Sequence, residues 1–373
     1  MTEKTILITG GAGFVGSHSA EALVLRGHKV RIFDNLSEQV HASGYPDYLI
    51  KEVEFIHGDV RDRERLSQAV RGVDVIYHLA AAVGVGQSMY QISDYVAANT
   101  LGTANLLQAI LDTRSQPEKI VVASSMSIYG EGKYVCSDCG EVAPPARLPA
   151  RLKAKDWETT CPHCHRVVAP LPTDEAKPLQ CTSIYALSKK DQEEMALLFG
   201  RTYGIPVVAL RYFNIYGTRQ ALSNPYTGVI AIFASRLMNG NAPVIFEDGF
   251  QMRDFVSVHD VVQANLLAME TSSADGLALN IGSGEPITIR DIATELASAL
   301  DREAPPEITD KYRAGDIRHC FADITAAALV LGYKPRVRLP GGLRELVDWL
   351  RDQEATDRVD EAMKRLSAHG LVA

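Results

Sequence analysis

Thr5-Ile6-Leu7-Ile8-Thr9-Gly10-Gly11-Ala12-Gly13-Phe14-Val15-Gly16 is the stretch that decides the fold of this chain. A β-branched apolar run enters Gly10, Gly13 and Gly16, and an amphipathic segment from Ser19 to Leu25 follows. The pattern predicts a strand, a tight glycine turn and a helix start. Such a turn lets backbone N–H groups approach a pyrophosphate at the positive end of a helix. The next strand, Lys29–Phe33, ends in Asp34, about 20 residues on, where a carboxylate meets the ribose hydroxyls of a dinucleotide. An acid there repels a 2′-phosphate, which points to NAD rather than NADP.

Composition narrows the function classes. The 373 residues are 46% hydrophobic and 23% charged, enough for a large core in one or two domains. The net charge of −8, from 38 basic and 46 acidic side chains, leaves no electrostatic footprint for nucleic acid or an anionic membrane. No apolar run approaches the ~20 residues that span a bilayer. The start Met-Thr-Glu-Lys runs straight into a strand, so no signal peptide is expected and the setting is read as cytoplasmic.

Through the first half, apolar strand-like runs alternate with helical periodicity. Strands are expected at Thr5–Thr9, Lys29–Phe33, Val53–His57, Val73–Leu79, Lys119–Ser124 and Pro206–Arg211. Helical patterns fall near Gly13–Arg26, Asp62–Val70, Ile92–Thr113 and Ser183–Tyr203. This alternation predicts an α/β fold, a Rossmann-type doubly wound parallel sheet covered on both faces. After Arg211 the alternation stops. Residues 1–211 are therefore read as the dinucleotide-binding domain, with the helical pattern in 256–275 returning to it. Residues 212–255 and 276–350 are read as a smaller, mostly C-terminal substrate-binding region, and 351–373 as a charged helical tail. Residues 131–178, rich in Pro, Lys, Arg and Cys, differ from their flanks and read as an insertion.

Tyr185-Ala-Leu-Ser-Lys189 places a phenol and an ammonium at i and i+4, on one helix face. A phenol with a pKa of about 10 is a poor base at neutral pH, and an adjacent Lys⁺ and an oxidised nicotinamide both favour the phenolate. The spacing gains weight from Ser124-Ser125-Met126-Ser127-Ile128-Tyr129-Gly130, which closes a buried strand. A serine at such a strand end is placed to hydrogen-bond a substrate oxygen in the sheet crevice.

With these residues the chain resembles the extended short-chain dehydrogenase/reductase family, and within it the nucleotide-sugar epimerases and dehydratases. The matching pieces are Gly10–Gly16, Asp34-Asn35, Gly58-Asp59-Val60, His78-Leu79-Ala80-Ala81, Asn99, Ser124–Gly130, Tyr185–Lys189 and Arg211–Gly217. Arg253–Val261, Asn280–Gly284 and Arg313-Ala314-Gly315-Asp316 complete the set. The resemblance implies that Tyr185 is the acid/base, that Lys189 orients the nicotinamide ribose and tunes Tyr185, and that Ser125 holds the reacting oxygen. It places Gly10, Gly13, Phe14, Val15, Gly16, Asp34, Asn35, Asp59, Val60, Leu79, Ala80, Ala81, Asn99, Ser124 and Phe213 along the dinucleotide, with Asp59-Val60 at the adenine and Phe213 near the nicotinamide. Ser127, Asn214, Arg253, Arg313 and Asp316 fall to the sugar nucleotide, where the guanidinium fork suits a diphosphate. A homodimer built on helices near Ile92–Thr113 and Ser183–Tyr203 is also implied.

The loop after Ser125 separates subclasses. The family's 4,6-dehydratases carry Asp and Glu where this chain has Met126 and Ser127, and its sugar-acid decarboxylases carry Glu at the Ser127 position. A thioether and a hydroxyl do not supply that proton traffic. One base and one hydride acceptor remain, so the implied reaction is NAD-dependent 4-epimerisation through a transient 4-keto sugar. A 4-ketoreductase would use the same side chains with an exchangeable, usually NADPH-type, cofactor, against which Asp34 argues. A redox-sensing NAD-binding regulator would have no need of Ser125, Tyr185 and Lys189 together.

Cys136-Ser-Asp-Cys139 and Cys161-Pro-His-Cys164 are two Cys-x-x-Cys knuckles with 21 residues between them. Four thiolates match a tetrahedral structural Zn²⁺ with no open position, and metal binding would supply folding energy to a segment too short for its own core. Two disulfides or free thiols are the alternative, disfavoured in a reducing compartment. The insert, read as a zinc-ribbon-like segment, sits between the Ser125 and Tyr185 motifs and is expected to act as a rigid lid or rim shaping the sugar pocket. Within an otherwise standard epimerase it resembles bacterial dTDP-L-rhamnose 4-epimerases, with UDP-glucose/galactose-type and UDP-N-acetylhexosamine-type epimerases as competitors.

Overall fold

The computed structural model describes residues 2–42 and 44–373. Seven strands form one parallel sheet: β1 (Thr5–Thr9), β2 (Lys29–Asp34), β3 (Glu54–His57), β4 (Val75–His78), β5 (Lys119–Ser125), β6 (Val207–Tyr212) and β7 (Ala278–Ile281). Their order is β7-β6-β5-β4-β1-β2-β3. Every residue of β4 to β6 is buried, as a sheet covered on both faces requires. The order reverses between β1 and β4, so a crevice opens beyond the carboxyl ends of these strands.

The longer helices are α1 (Phe14–Leu25), α2 (Arg63–Ala69), α3 (Gly102–Asp112), α4 (Ile184–Tyr203), α5 (Val229–Met238), α6 (Val258–Glu270), α7 (Ile289–Ala299), α8 (Thr325–Leu331), α9 (Leu339–Leu350) and α10 (Val359–Ala368). Side chains alternate across each strand. Ile6 and Ile8 therefore pack with Val261, Leu266 and Leu331 from α6 and α8. Leu7, on the opposite face, packs with Leu66, Leu106 and Ala196 from α2, α3 and α4. A second core joins α5, α7 and α9 through Phe233, Leu296 and Leu346 and forms the smaller region. Among the described residues no helix is long and apolar enough to cross a membrane.

Three details depart from the sequence reading. The segment 276–350, assigned to the substrate region, contributes β7 and α8 to the main body, because Ala278–Ile281 pairs with β6 as a seventh strand. The helix expected over Ile92–Thr113 is broken: Ile92–Tyr95 is α-helical, Val96–Leu101 is a π-helical turn, and α3 follows. The tail is helical only from Val359, whose N–H is held by Asp357 Oδ1 at 3.0 Å; Asp352–Arg358 is irregular apart from a terminal turn.

The insert is a unit of its own. Lys133–Cys136 pairs antiparallel with Gly140–Val142 on one side and Ala169–Leu171 on the other, around a small core of Tyr134, Cys136, Val142, Cys161 and Val168. Its two ends meet, since Gln180 N–H donates to Ile128 O at 3.1 Å. Gly130 lies there at φ +67°, and a Cβ on it would fall 2.2 Å from Gln180 O.

Candidate active site

At the mouth of β1 the chain turns so tightly that no side chain fits. Gly10 lies at φ +71°, and a Cβ on Gly16 would fall 2.3 Å from Gly10 O. Gly13 caps α1 without any side-chain hydrogen bond, so the first-turn N–H groups of Phe14, Val15 and Gly16 face the crevice edge as an anion site requires. Asp34, buried at the end of β2, accepts from Ala12 N–H at 3.0 Å and Leu36 N–H at 2.9 Å. Its carboxylate thereby pins the glycine turn to the neighbouring strand. Asp59 accepts from Asn35 Nδ2 at 2.9 Å and from Arg61 at 2.6 and 2.8 Å. Those Arg61 bonds hold its pKa at about 2. Val60 is buried beside them.

Leu79, Ala80 and Ala81 follow β4, and Asn99 fixes their course. Asn99 is fully buried in the π-helical turn. Its side chain accepts from Ala82 N–H at 2.7 Å and donates to Ala82 O at 3.0 Å and to Ser188 Oγ at 2.9 Å. It fixes the path of the chain after β4 by holding backbone.

Ser125 ends β5, with Ser127 donating to its Oγ from the hydroxyl at 2.9 Å and from the backbone at 3.2 Å. Ser124, one residue earlier, points the other way, donating to Glu193 Oε2 at 2.6 Å. That follows from strand alternation, and it removes the Ser124 hydroxyl from the expected cofactor contacts. Tyr185 stands on the first turn of α4, whose Ser183 cap accepts from Ala186 N–H at 3.1 Å. Burial raises the Tyr185 pKa, and the hydrogen bond with Ser125 pulls it back down. One turn on, Lys189 is buried and donates to Gln192 Oε1 at 2.8 Å. Burial lowers its pKa to about 7, against an opposing pull from Glu193.

Sequence reasoning missed the layer beneath these groups. Gln192 Nε2 reaches Thr103 Oγ1 at 2.9 Å and the His78 ring at 3.2 Å. Burial holds His78 at a pKa of about 3, so it is a neutral imidazole. Glu193 forms a buried ion pair with Arg211, at 2.6 Å, which in turn donates to Tyr129 Oη at 2.8 Å. The available signal was spacing: Glu193 follows Tyr185 and Lys189 at i+8 and i+4, on the same face of α4.

Among the residues expected near the nicotinamide and the sugar nucleotide, Phe213 is buried and tilted against Tyr129, 6.5 Å between ring centroids. The Asn214 Oδ1 is buried with no protein partner, an acceptor that a substrate hydroxyl would satisfy. Arg253 donates to Ile317 O at 2.7 Å and Arg318 O at 2.9 Å. Arg313 pairs with Asp316 at 2.9 Å and lies 4.7 Å above the Phe246 ring. Asp316 is half-buried, and although desolvation pushes its pKa up, Arg313 and Arg253 hold it below the usual carboxylate range. Met126, Phe213, Cys320, Leu179 and Ile317 form an apolar cluster behind Ser125.

The sulfurs of Cys136, Cys139, Cys161 and Cys164 lie within 4.8 Å of one another. Zinc–sulfur bonds of about 2.3 Å give tetrahedral S···S edges of about 3.8 Å, so the four sulfurs fit such an ion. His163 N–H points at Cys161 Sγ at 3.4 Å, and Gly140 takes φ +74° just past the first knuckle.

The chain matches the NAD dependent epimerase/dehydratase family over residues 6–147 and 162–282. The dTDP-L-rhamnose 4-epimerase of Burkholderia thailandensis is 34% identical over 355 residues, covering 94% of this chain and 96% of that protein. Among solved structures, UDP-glucose 4-epimerase from Thermotoga maritima with UDP-glucose is similar at a TM-score of 0.76 and 30% identity, over 93% of this chain and 98% of the other. UDP-glucuronic acid 4-epimerase from Bacillus cereus, in complex with UDP-glucuronic acid and NAD, is similar at a TM-score of 0.77 and 27% identity, over 93% and 99%.

Proposed function

The chain belongs to the NAD dependent epimerase/dehydratase family, and on that premise we propose that it is a nucleotide-sugar 4-epimerase working through a transient 4-keto sugar. The observation that carries this reading is Tyr185 beside Ser125 at the end of β5, with Lys189 one turn further along α4 and Met126 and Ser127 in place of an acid–base pair. The glycine turn, the Asp34 carboxylate and the walls at Ala80-Ala81 and Phe213 fit NAD, which when bound accepts the C4 hydride and returns it to the other face of the sugar.

Tyr185 removes the O4 proton in the forward half-reaction and restores it in the reverse. Lys189, one turn along α4, lowers the cost of the phenolate by its charge. Ser125 donates to the sugar oxygen and keeps it within reach of the phenol, with the Ser127 hydroxyl behind it. Arg253 and Arg313 anchor the diphosphate while the keto sugar turns over, and Asn214 Oδ1 accepts from a substrate hydroxyl. With no carboxylate beside Ser125 to drive elimination, the keto sugar has only the return of hydride open to it.

For the sugar, the likeness to the Burkholderia enzyme over nearly the whole of both chains favours interconversion of dTDP-L-rhamnose and dTDP-6-deoxy-L-talose. The apolar wall behind Ser125 suits a 6-deoxy sugar better than a uronate. The four cysteines hold a structural Zn²⁺, which shapes the insert and takes no part in the chemistry. Ile92, Val96 and Leu101, with Leu187 and Leu198 of α4, are exposed and support a homodimer across these helices, in a cytoplasmic setting.

The test is incubation of the purified protein with dTDP-L-rhamnose, UDP-glucose, UDP-N-acetylglucosamine and UDP-glucuronate, without added cofactor. An epimerase equilibrates one of these with its C4 epimer, and Tyr185→Phe abolishes the exchange. A ketoreductase stalls without reductant, and a non-catalytic NAD-binding protein turns nothing over.

A further inference from the structure

Residues 310–318 carry Arg313 and Asp316 and are gripped from two sides. On one side lie the last residues of the chain: Tyr312 and Ala373 exchange backbone hydrogen bonds of 2.9 and 3.2 Å, and Ala314 N–H donates to Leu371 O at 2.9 Å. On the other side lies the cysteine insert. Trp157 packs on Tyr312 with 6.5 Å between ring centroids, and Arg147 Nη2 donates to Asp316 O at 3.2 Å.

Beneath that contact runs a charge network in which Arg147, Glu131, Glu247 and Arg318 are buried and Glu158 and Asp248 form a partly exposed rim. The Arg147 guanidinium binds both Glu247 oxygens, at 2.7 and 2.9 Å. Arg318 is bracketed by Glu158 at 2.6 Å and Asp248 at 2.6 and 2.8 Å. Glu131 accepts from Arg318 N–H at 2.9 Å and from Tyr134 Oη at 2.8 Å. Glu247 is held at φ +58°, a backbone state that a glutamate keeps only where its surroundings over-determine it. Both knuckles feed the network: Tyr134 lies two residues before Cys136, and Glu158 three before Cys161. Arg253 then takes hold of the carbonyls of Ile317 and Arg318.

We propose that the four-cysteine insert is a positioning clamp for residues 310–318, so that the ion held by its sulfurs sets the affinity for the nucleoside diphosphate of the substrate through Arg147, Glu158 and Arg318. The proposal rests on the reading of Arg253 and Arg313 as the diphosphate anchors. Its physical basis is that a buried ion network holds only while every partner stays in register; once one moves, the others are left as unpaired charges. A segment with so small a core keeps that register only with the metal in place.

Three perturbations of the purified holoenzyme test it: metal removal by a chelator, with release counted by a colorimetric zinc dye, and the variants Glu158→Gln and Arg147→Lys. Binding of UDP and of dTDP is measured by calorimetry, NAD content by absorbance, and KM and kcat with the sugar nucleotide. A clamp raises the nucleoside diphosphate Kd and the substrate KM by about ten- to a hundredfold, the scale of a group misplaced by an ångström. It leaves kcat and NAD content within about twofold, the pattern of lost ground-state binding. Glu158→Asp, which keeps the charge, recovers part of the loss. Unchanged nucleotide affinity after metal release or in Glu158→Gln overturns the proposal. So does loss of NAD and kcat in step with affinity in all three cases, which would make the insert a general support of the fold. Wild-type protein that binds UDP or dTDP but interconverts no sugar refutes the epimerase reading while leaving the clamp testable by binding.

Discussion

Asp34→Asn separates the task that the structure shows for this carboxylate, pinning the glycine turn, from the one proposed for it, meeting the ribose hydroxyls of NAD. Its oxygens accept one backbone N–H each, from Ala12 and Leu36 at 3.0 and 2.9 Å, and the residue is 8% exposed. An asparagine offers one acceptor oxygen and one NH₂ donor, so in either orientation a buried backbone N–H faces another donor. A hydrogen bond to a charged acceptor contributes about 1.5–3 kcal/mol, and an unmet buried donor costs about 1–3 kcal/mol. These overlap in one group, so the cofactor-stripped variant should lose about 2–3 kcal/mol in urea denaturation. The ribose hydroxyls lose the same charge, so NAD affinity should fall by about ten- to a hundredfold. Discrimination against NADP should fall with it. A variant that unfolds at the wild-type urea midpoint and retains NAD would refute the claim that Asp34 ties the turn to β2.

Three further outcomes concern Lys189 and the layer under the site. Lys189 has a folded pKa of about 7, lowered by burial, below its unfolded value of about 10.4. Between those pH values the unfolded chain binds more protons, so the Lys189 contribution makes cofactor-free stability rise with pH. Lys189→Met should remove that slope; an unaltered slope would contradict a buried, depressed ammonium. In the holoenzyme the same substitution should move the acid limb of kcat/KM to higher pH, because burial alone holds the Tyr185 phenol up. Glu193→Gln leaves the Arg211 guanidinium buried without its counter-charge, and breaking such a pair costs about 3–5 kcal/mol. Chemical denaturation showing less than about 1 kcal/mol would place the pair among inconsequential ones.

The fold was legible where one local pattern fixes it. The run from Thr5 to Gly16 allows a single backbone path, and the two Cys-x-x-Cys pairs bring four sulfurs together whatever lies between them. The seventh strand was hidden because Ala-Leu-Asn-Ile over 278–281 is short, and its partner in β6 lies about seventy residues earlier. The π-helical turn was invisible to a 3.6-residue period, since Val96–Leu101 keeps helical composition while inserting one residue around Asn99. Ser124 and Ser125 look alike in sequence, and only the strand's alternation separates the one facing Glu193 from the one facing Tyr185. The charge network was least legible of all. Arg147, Glu158, Glu247 and Arg318 belong to no sequence motif, and they pair with one another across 71 to 160 residues. Burial of a charge is a property of the assembled fold and leaves no local mark.

The transient 4-keto sugar is tested most directly by isotope. A nucleotide sugar bearing deuterium at C4 is incubated with the purified protein in ordinary water, and both epimers are isolated and read by mass spectrometry and NMR. Removal and return of one hydride within a closed site requires that the inverted product keep its deuterium at C4. Product that has exchanged the label for solvent hydrogen, or inversion without passage of the label, would contradict the mechanism built on Tyr185.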